Sequence, residues 1–243
     1  MRLVSCHHGK LQISSSEGLD AKKARSFSTG LHALDRLLPG EAFPYGAIHE
    51  VLAHPGQGLP FFFAALLARA ACGIPTSSSS HPGKAIVWSD PHANLYPPAL
   101  AAIGIPLDRL FLLRPANPAD ELWALAECLR CTGISATLAS PPTLSRIEAR
   151  RLQLAVESGG GAGILLRTLD NASIHYAAAS RWLVQHLPGQ RTVQRWQLQL
   201  IHAHGGRVGQ TIILEACHET HHVRAFEAVA DRSIQTPAIQ LRA

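Results

Sequence analysis

The sequence predicts an α/β fold: a mostly parallel, doubly wound sheet with helices on both faces and a C-terminal antiparallel hairpin. Short apolar runs of strand length alternate with longer runs of helical length, as in βαβ units. A glycine-containing loop joins the first buried strand to the first long helix, which is the setting of a phosphate-binding loop. Near the C-terminus, two runs of alternating polarity flank a Gly-Gly turn, which is typical of a hairpin at a sheet edge.

Each element has its own local signal. Residues 31–38 place apolar side chains on one helical face and end at Pro-Gly. Short apolar runs typical of buried parallel strands follow at residues 47–52, 85–88, 110–113, 134–139 and 163–167. Between them, we expect helices over residues 61–72, 98–104, 119–131 and 144–156. The runs at 196–201 and 210–215 predict the hairpin.

The composition is that of one globular domain with less ordered ends. The chain has 243 residues, of which 47% are hydrophobic, enough for a sizeable core. No apolar run approaches the roughly 20 residues of a membrane helix, and the N-terminus lacks a signal-peptide pattern. We therefore expect a cytoplasmic protein without membrane contact. Residues 1–27 are expected to form a flexible lead-in, 28–218 the core domain and 219–243 an extended tail.

Charge and metal-ligating residues give weak signals. The net charge of +5 permits contact with nucleic acid or an acidic partner, but the basic residues are spread along the chain. Cys128 and Cys131 form a CxxC on a predicted helix without the second pair of a zinc site. The 14 histidines also lack ligand spacing, so we expect no metal and no cofactor.

The loop at residues 53–60 has the frame of a Walker A motif without its chemistry. It contains Ala53, Gly56 and Gly58, followed by Leu59 and Pro60 where the motif has a lysine and a hydroxyl residue. Leucine cannot neutralise phosphate charge, and proline supplies neither a magnesium ligand nor a backbone N–H. We favour a tight strand-to-helix turn here, with residual anion binding as the open alternative.

The segment before this loop resembles the approach to the P-loop in RecA-type recombinases. The matching residues are 28–30 (STG), 34–35 (LD), 38–40 (LPG), 44–46 (PYG) and 48–51 (IHEV). The resemblance continues through 84–93 and 100–115 and covers roughly residues 28 to 215. It implies a RecA-like P-loop core.

Within RecA-like proteins, the sequence is most similar to the ImuA family of the bacterial damage-induced mutagenesis cassette. The resemblance implies a role in SOS-induced translesion DNA synthesis and mutagenesis. It implies an ImuB-type partner, an inactive relative of Y-family polymerases, and an error-prone C-family DNA polymerase, with RecA as a further candidate partner. SulA-type cell-division inhibitors are also distant RecA relatives, so a SulA-like inhibitor remains an alternative.

The same resemblance predicts a pseudo-ATPase rather than an enzyme. It places the carboxylate that polarises water at Pro91, beside Asp90, and the Walker B aspartate within residues 138–140 (LAS). Neither of those places has a carboxylate, and the lysine and hydroxyl are missing as well. A divergent DNA-dependent ATPase that uses Asp90 is the enzymatic alternative.

Two further surfaces are candidates for binding. RecA relatives contact single-stranded DNA through loops that correspond here to residues 141–151 and 169–180. The candidate DNA contacts are Arg146, Arg150, Arg151 and Arg167, and a solvated helix face is the alternative for these arginines.

The apolar tail residues Phe226, Val229 and Ile234 form a candidate partner-binding element or pack on the core. Self-association through the lead-in, giving a homo-oligomer, is also open.

Overall fold

The computed structural model describes residues 25–73, 84–141, 143–169, 178–217, 219–220 and 222–227, together with the backbone of two short paired strands. Those two strands are β1 (Val4–His7) and β2 (Lys10–Ile13). A second small pair, β3 (Ser26–Phe27) and β4 (Phe43–Pro44), brings residue 27 beside residue 43. Both side chains are buried, so Phe27 belongs to the folded core although the sequence predicted it in the lead-in.

A nine-stranded mixed sheet organises the rest of the described chain. Its strands are β5 (Ala47–Ala53), β6 (Ala85–Ser89), β7 (Leu110–Leu113), β8 (Ile134–Ala139), β9 (Ala162–Thr168), β10 (Ala178–Gln190), β11 (Val193–Ala203), β12 (Thr211–Cys217) and β13 (Val223–Glu227). Their order across the sheet is β13-β12-β11-β10-β5-β9-β8-β6-β7. Strands β5 to β10 run parallel, and β10 to β13 pair antiparallel.

Helices cover both faces of the parallel part. The helices are α1 (His32–Asp35), α2 (Phe61–Cys72), α3 (Pro97–Ala102), α4 (Pro118–Arg130) and α5 (Arg146–Gly159). Successive strand residues point to opposite faces. Accordingly, Val51 lies in the core built with α1, α2 and α3, whereas Ile48 lies in the core built with α4 and α5. Helices α4 and α5 meet at Gly159, where an added Cβ would lie 2.1 Å from the carbonyl oxygen of Leu129.

The main expectations about the fold are confirmed. The structure is mixed α/β, with a large, mostly parallel sheet, helices on both faces and antiparallel strands at the C-terminal end. The predicted hairpin corresponds to β11 and β12. In the described part of the chain, every helix is too short or too polar to cross a membrane.

The antiparallel part is larger than the predicted hairpin. Strand β10 starts inside the segment that was interpreted as a loop over residues 169–180, and β13 lies inside the predicted tail. Along the start of β10, buried residues such as Trp182 and Val184 alternate with half-buried ones such as Arg181. This period of two is typical of a strand, whereas the loop at residues 169–180 was implied only by the resemblance to RecA relatives.

Candidate functional site

The loop at residues 53–60, where the sequence predicts a degenerate P-loop, connects β5 to α2 as a compact turn. Gly56 has a φ of +80°, a conformation that favours glycine, and the Gln57 N–H donates to the His54 carbonyl at 3.0 Å. Pro60 is buried and lies just before the first residue of α2, and Leu59 packs against the core. Leu59 therefore contacts the core at the position predicted for the lysine, and Pro60 is buried at the position predicted for the hydroxyl, which indicates a structural use of the loop.

A cleft of about 620 Å³ lies beside this loop at the carboxyl ends of the parallel strands. Residues Leu59 and Phe61 line one side, and the ends of β6 and β9 and the segments that follow β6, β7 and β8 line the rest. This edge is where doubly wound sheets bind their ligands. The position is that of a nucleotide site, so its charges decide whether a nucleotide fits.

The charges in the cleft do not suit a polyphosphate. Among the described lining residues, Asp90 and Glu121 are acidic, and only Arg167 carries a permanent positive charge. The Ser89 hydroxyl donates to Glu121 at 2.5 Å, and both residues are buried. ATP with magnesium requires a cation at the phosphates and a hydroxyl or carboxylate at the metal. Neither group stands in the loop, so the residues present do not fit the cofactor.

Asp90 has a structural role that accounts for its position. Its carboxylate accepts the Asn94 N–H at 2.8 Å and the Leu95 N–H at 3.2 Å, and the residue is 5% exposed. The carboxylate therefore closes the turn after β6. A group held by two backbone donors is poorly placed to polarise a water molecule. The interpretation of Asp90 as a substitute catalytic carboxylate gains no support from these contacts.

A buried charge cluster joins the three central strands. Glu50 of β5 accepts from Arg181 Nε at 2.6 Å and from Arg167 at 3.3 Å, with the Glu50 side chain only 3% exposed. Strands β9 and β10 lie on either side of β5, so the cluster ties all three together. Arg167 is 9% exposed and engaged by Glu50, which makes it a poor candidate for a DNA contact.

The other predicted DNA contacts lie on α5. Arg146, Arg150 and Arg151 are exposed, and Arg150 donates to Gln153 at 2.7 Å. They lie on an ordered helix that starts at residue 146, so this part of the predicted loop at 141–151 is helical. Capping by Ser145 and Glu148 fixes where the helix begins.

The candidate tail residues separate into two groups. Phe226 lies in β13 opposite Ile213 and is 39% exposed. Val229 and Ile234 lie outside the described residues, as does Tyr176 of the second predicted DNA loop. The tail prediction is therefore corrected for residues 223–227, which form the edge strand of the sheet.

Two polar networks that the sequence analysis did not identify connect segments of the fold. Asp35 accepts hydrogen bonds from the Ser28 hydroxyl at 2.6 Å, the Thr29 hydroxyl at 2.7 Å and the Thr29 N–H at 3.1 Å. This clamp gives residues 28–30 and 34–35 of the RecA-like segment a structural purpose. The spacing of the Ser28 and Thr29 hydroxyls from the Asp35 carboxylate is the sequence signal that could have predicted this clamp.

The second network surrounds His49 at the start of β5. One ring nitrogen lies 3.0 Å from the Pro44 carbonyl, which can only accept, so Nε2 carries the proton. The other, Nδ1, then accepts from the Ser180 hydroxyl at 2.8 Å. Burial lowers the pKa of His49 to about 4, with the hydrogen bond to Pro44 opposing the shift. This neutral histidine links β4, β5 and β10.

Comparison with known proteins gives one long match and several shorter ones. No protein-family model matches the chain. The ImuA proteins of two Caulobacter vibrioides strains are 30% identical over 228 residues, which covers 85% of this chain and 91% of each relative. The cell division inhibitor SulA of Photorhabdus laumondii is 29% identical over 103 residues, 42% of this chain and 58% of that protein. SulA of Yersinia pestis is 27% identical over 89 residues, 37% of this chain and 53% of that protein. Because the ImuA match extends over nearly the whole of both sequences, the chain belongs to the ImuA family.

Proposed function

We propose that the chain is a non-catalytic adaptor with a RecA-like core in SOS-induced translesion DNA synthesis and mutagenesis. In this role it binds an ImuB-type partner in the cytoplasm and supports an error-prone C-family DNA polymerase. RecA, DNA and a second copy of the chain are further candidate partners. Membership of the ImuA family supports the placement in the damage response.

The observation that carries the proposal is an intact frame around a cleft without phosphate chemistry. The lysine and hydroxyl positions hold Leu59 and Pro60, which pack inward. Strand β8, where a Walker B aspartate would stand, ends at the buried Ala139. Asp90 is occupied by backbone donors. None of these positions has a residue that could perform the corresponding step in an ATPase, which supports a pseudo-ATPase.

The sheet supports the RecA-like part of the proposal. The strand that precedes the degenerate P-loop, β5, lies in the middle of the sheet between β9 and β10, and the chain returns to both only after crossing to the β7 edge. This places the loop at a topological switch of the sheet, where P-loop folds hold their phosphates.

A nucleotide titration and a mutagenesis assay test the proposal together. We expect no heat of binding when ATP and magnesium are titrated into the chain, and no phosphate release with single-stranded DNA present. In cells lacking the chain, we expect wild type and Asp90→Asn to restore damage-induced mutation equally, since Asn keeps an acceptor for the turn but loses the charge. A folded Asp90→Asn chain that binds ATP less well than wild type and fails to restore mutation would indicate the divergent ATPase instead.

Partner binding is tested separately. We expect the purified chain to retain the ImuB-type protein of the same cassette in a pull-down. Loss of this interaction, with both proteins folded, contradicts the adaptor function even if ATP does not bind.

The SulA matches favour a second candidate, a SulA-like inhibitor of cell division. Overproduction of the chain in cells without the other cassette proteins distinguishes it from the adaptor. Filamentation under these conditions supports the inhibitor, and normal division supports the adaptor.

A further inference from the structure

Helix α5 presents an apolar ridge with an arginine on each side. Ile147 and Leu154 are 82% and 50% exposed, although both are large hydrophobic residues. They are seven residues apart, two helical turns, and therefore share one line on the helix surface. Arg150 and Arg151 lie between them in sequence and, at 100° per residue, project to opposite sides of that line. We call these four residues the outer face of α5.

The outer face is unfavourable for the helix on its own. Ile147 is β-branched, which lowers helix propensity, and its exposure brings little compensating burial. Arg146 occupies the first helical position, where a positive charge opposes the helix dipole. Arg146 and Arg150 are also a like-charged pair at i and i+4, which is repulsive. Since packing within the described chain does not explain the exposure of Ile147 and Leu154, an intermolecular contact is the better explanation.

We propose that the outer face of α5 docks an acidic segment of a partner protein, with two apolar pockets or side chains of that segment packed on Ile147 and Leu154. Helices that bind in a groove of a partner protein use apolar residues at i, i+3 or i+4, and i+7 as anchors. Ile147 and Leu154 have the i and i+7 spacing. Arg150 and Arg151 would pair with carboxylates of the partner on the two sides of the apolar ridge. This inference rests on the adaptor function, because it names the surface that the adaptor uses.

Charge disfavours a second copy of the chain as the occupant, and the apolar ridge disfavours nucleic acid. A second copy packed antiparallel on α5 would set Ile147 against Leu154 and bring the arginines of both copies to the centre of the interface, where they repel. Nucleic acid would match the arginines, but the centre of the face is an aliphatic ridge. Leucine and isoleucine offer neither the charge nor the aromatic stacking surface that single strands use. An acidic protein segment with apolar side chains can pack on the ridge and pair with the arginines on both sides of it.

The test measures binding of the purified ImuB-type protein to variants of the full chain. The variant Arg151→Gln/Leu154→Ala removes one charge and one anchor, and we expect its dissociation constant to rise about tenfold or more. The matched control, Arg207→Gln/Val208→Ala, makes the same kind of change at exposed residues of the β11–β12 turn and should stay within about twofold of wild type. Alanine favours helix, so thermal unfolding of the α5 variant should be unchanged.

Each other outcome overturns the inference in an identifiable way. If wild type binds the partner and the α5 variant binds equally well, the surface is wrong and the adaptor function stands. If wild type does not bind, the adaptor function fails and the inference fails with it. If Arg151→Gln weakens binding of an oligo-dT strand while Leu154→Ala changes binding of neither ligand, the face contacts nucleic acid. If the variant instead dissociates an oligomer in sedimentation velocity, the face joins copies of the chain.

Discussion

The neutral His49 predicts a measurable loss of stability between pH 7.5 and pH 5. Its pKa is about 4 in the folded chain and 6.5 for an unperturbed histidine. In this window the unfolded chain therefore binds more protons than the folded chain, and the free energy of unfolding falls as pH falls. With these two pKa values, linkage gives a loss of about 2 kcal/mol between pH 7.5 and pH 5, and about 3 kcal/mol when the pH is below both.

The structure gives the physical reason for this loss. A proton on Nδ1 would remove the acceptor that the Ser180 hydroxyl uses, and that hydroxyl oxygen already accepts from Trp182 Nε1 at 3.1 Å. The charged ring would also be fully buried among apolar groups such as Phe43. Protonation therefore opposes the contact between β4, β5 and β10.

Urea unfolding at both pH values measures the effect. We compare wild type with His49→Gln, whose amide can still donate to the Pro44 carbonyl but does not titrate. The pH-dependent loss should be about 2 kcal/mol smaller in His49→Gln than in wild type. The matched control, His32→Gln, changes an exposed histidine and should keep the wild-type dependence. Equal dependence on pH in wild type and His49→Gln would refute the reasoning.

Three further substitutions test the polar networks and the helix contact by denaturant unfolding. Asp35→Ala should destabilise the chain by about 3 kcal/mol because it leaves the donors of Ser28 and Thr29 without their acceptor. Glu50→Gln should cost about 3 kcal/mol because Arg167 and Arg181 lose their buried counter-charge. Gly159→Ala should cost about 2 kcal/mol, since its Cβ would collide with the Leu129 carbonyl oxygen.

Two of these predictions have a control variant, and the third has an outcome that would contradict it. Asp35→Asn keeps part of the acceptor and should be milder than Asp35→Ala. If Glu50→Gln were neutral, the guanidinium groups must reach water or another partner, which contradicts the buried cluster. Gly58→Ala should be close to neutral, because no atom lies within 4 Å of its added Cβ. A similar cost at both glycines would argue against the specific contact between α4 and α5.

The parallel half of the sheet could be predicted because its signals are local. Strands β5, β6 and β8 are buried on both faces, so each appears as a short, largely apolar run, which His49 and Glu50 interrupt in β5. In the first part of strand β10, buried residues alternate with half-buried ones, which is a weaker signal than a continuous buried run. The position of the cleft could also be predicted, because the loop and the strand ends that form it follow from the order of elements.

The His49 network and the Glu50 charge cluster could not be predicted because their partners are distant in sequence. His49 and Ser180 are 131 residues apart, and Glu50 and Arg167 are 117 apart. Residue types alone do not show that β5 lies between β9 and β10, which is what brings these groups together. For the same reason, Arg167 resembled a surface residue in the sequence although Glu50 holds it inside the fold.

The partial burial of Leu59 and the burial of Pro60 limit which residues this loop accepts. A lysine at position 59 would lose part of the apolar contact that Leu59 makes with the core. A hydroxyl residue at position 60 would place a polar group at a buried position. The stability of the turn therefore favours apolar residues at both positions, whether or not the loop binds a phosphate.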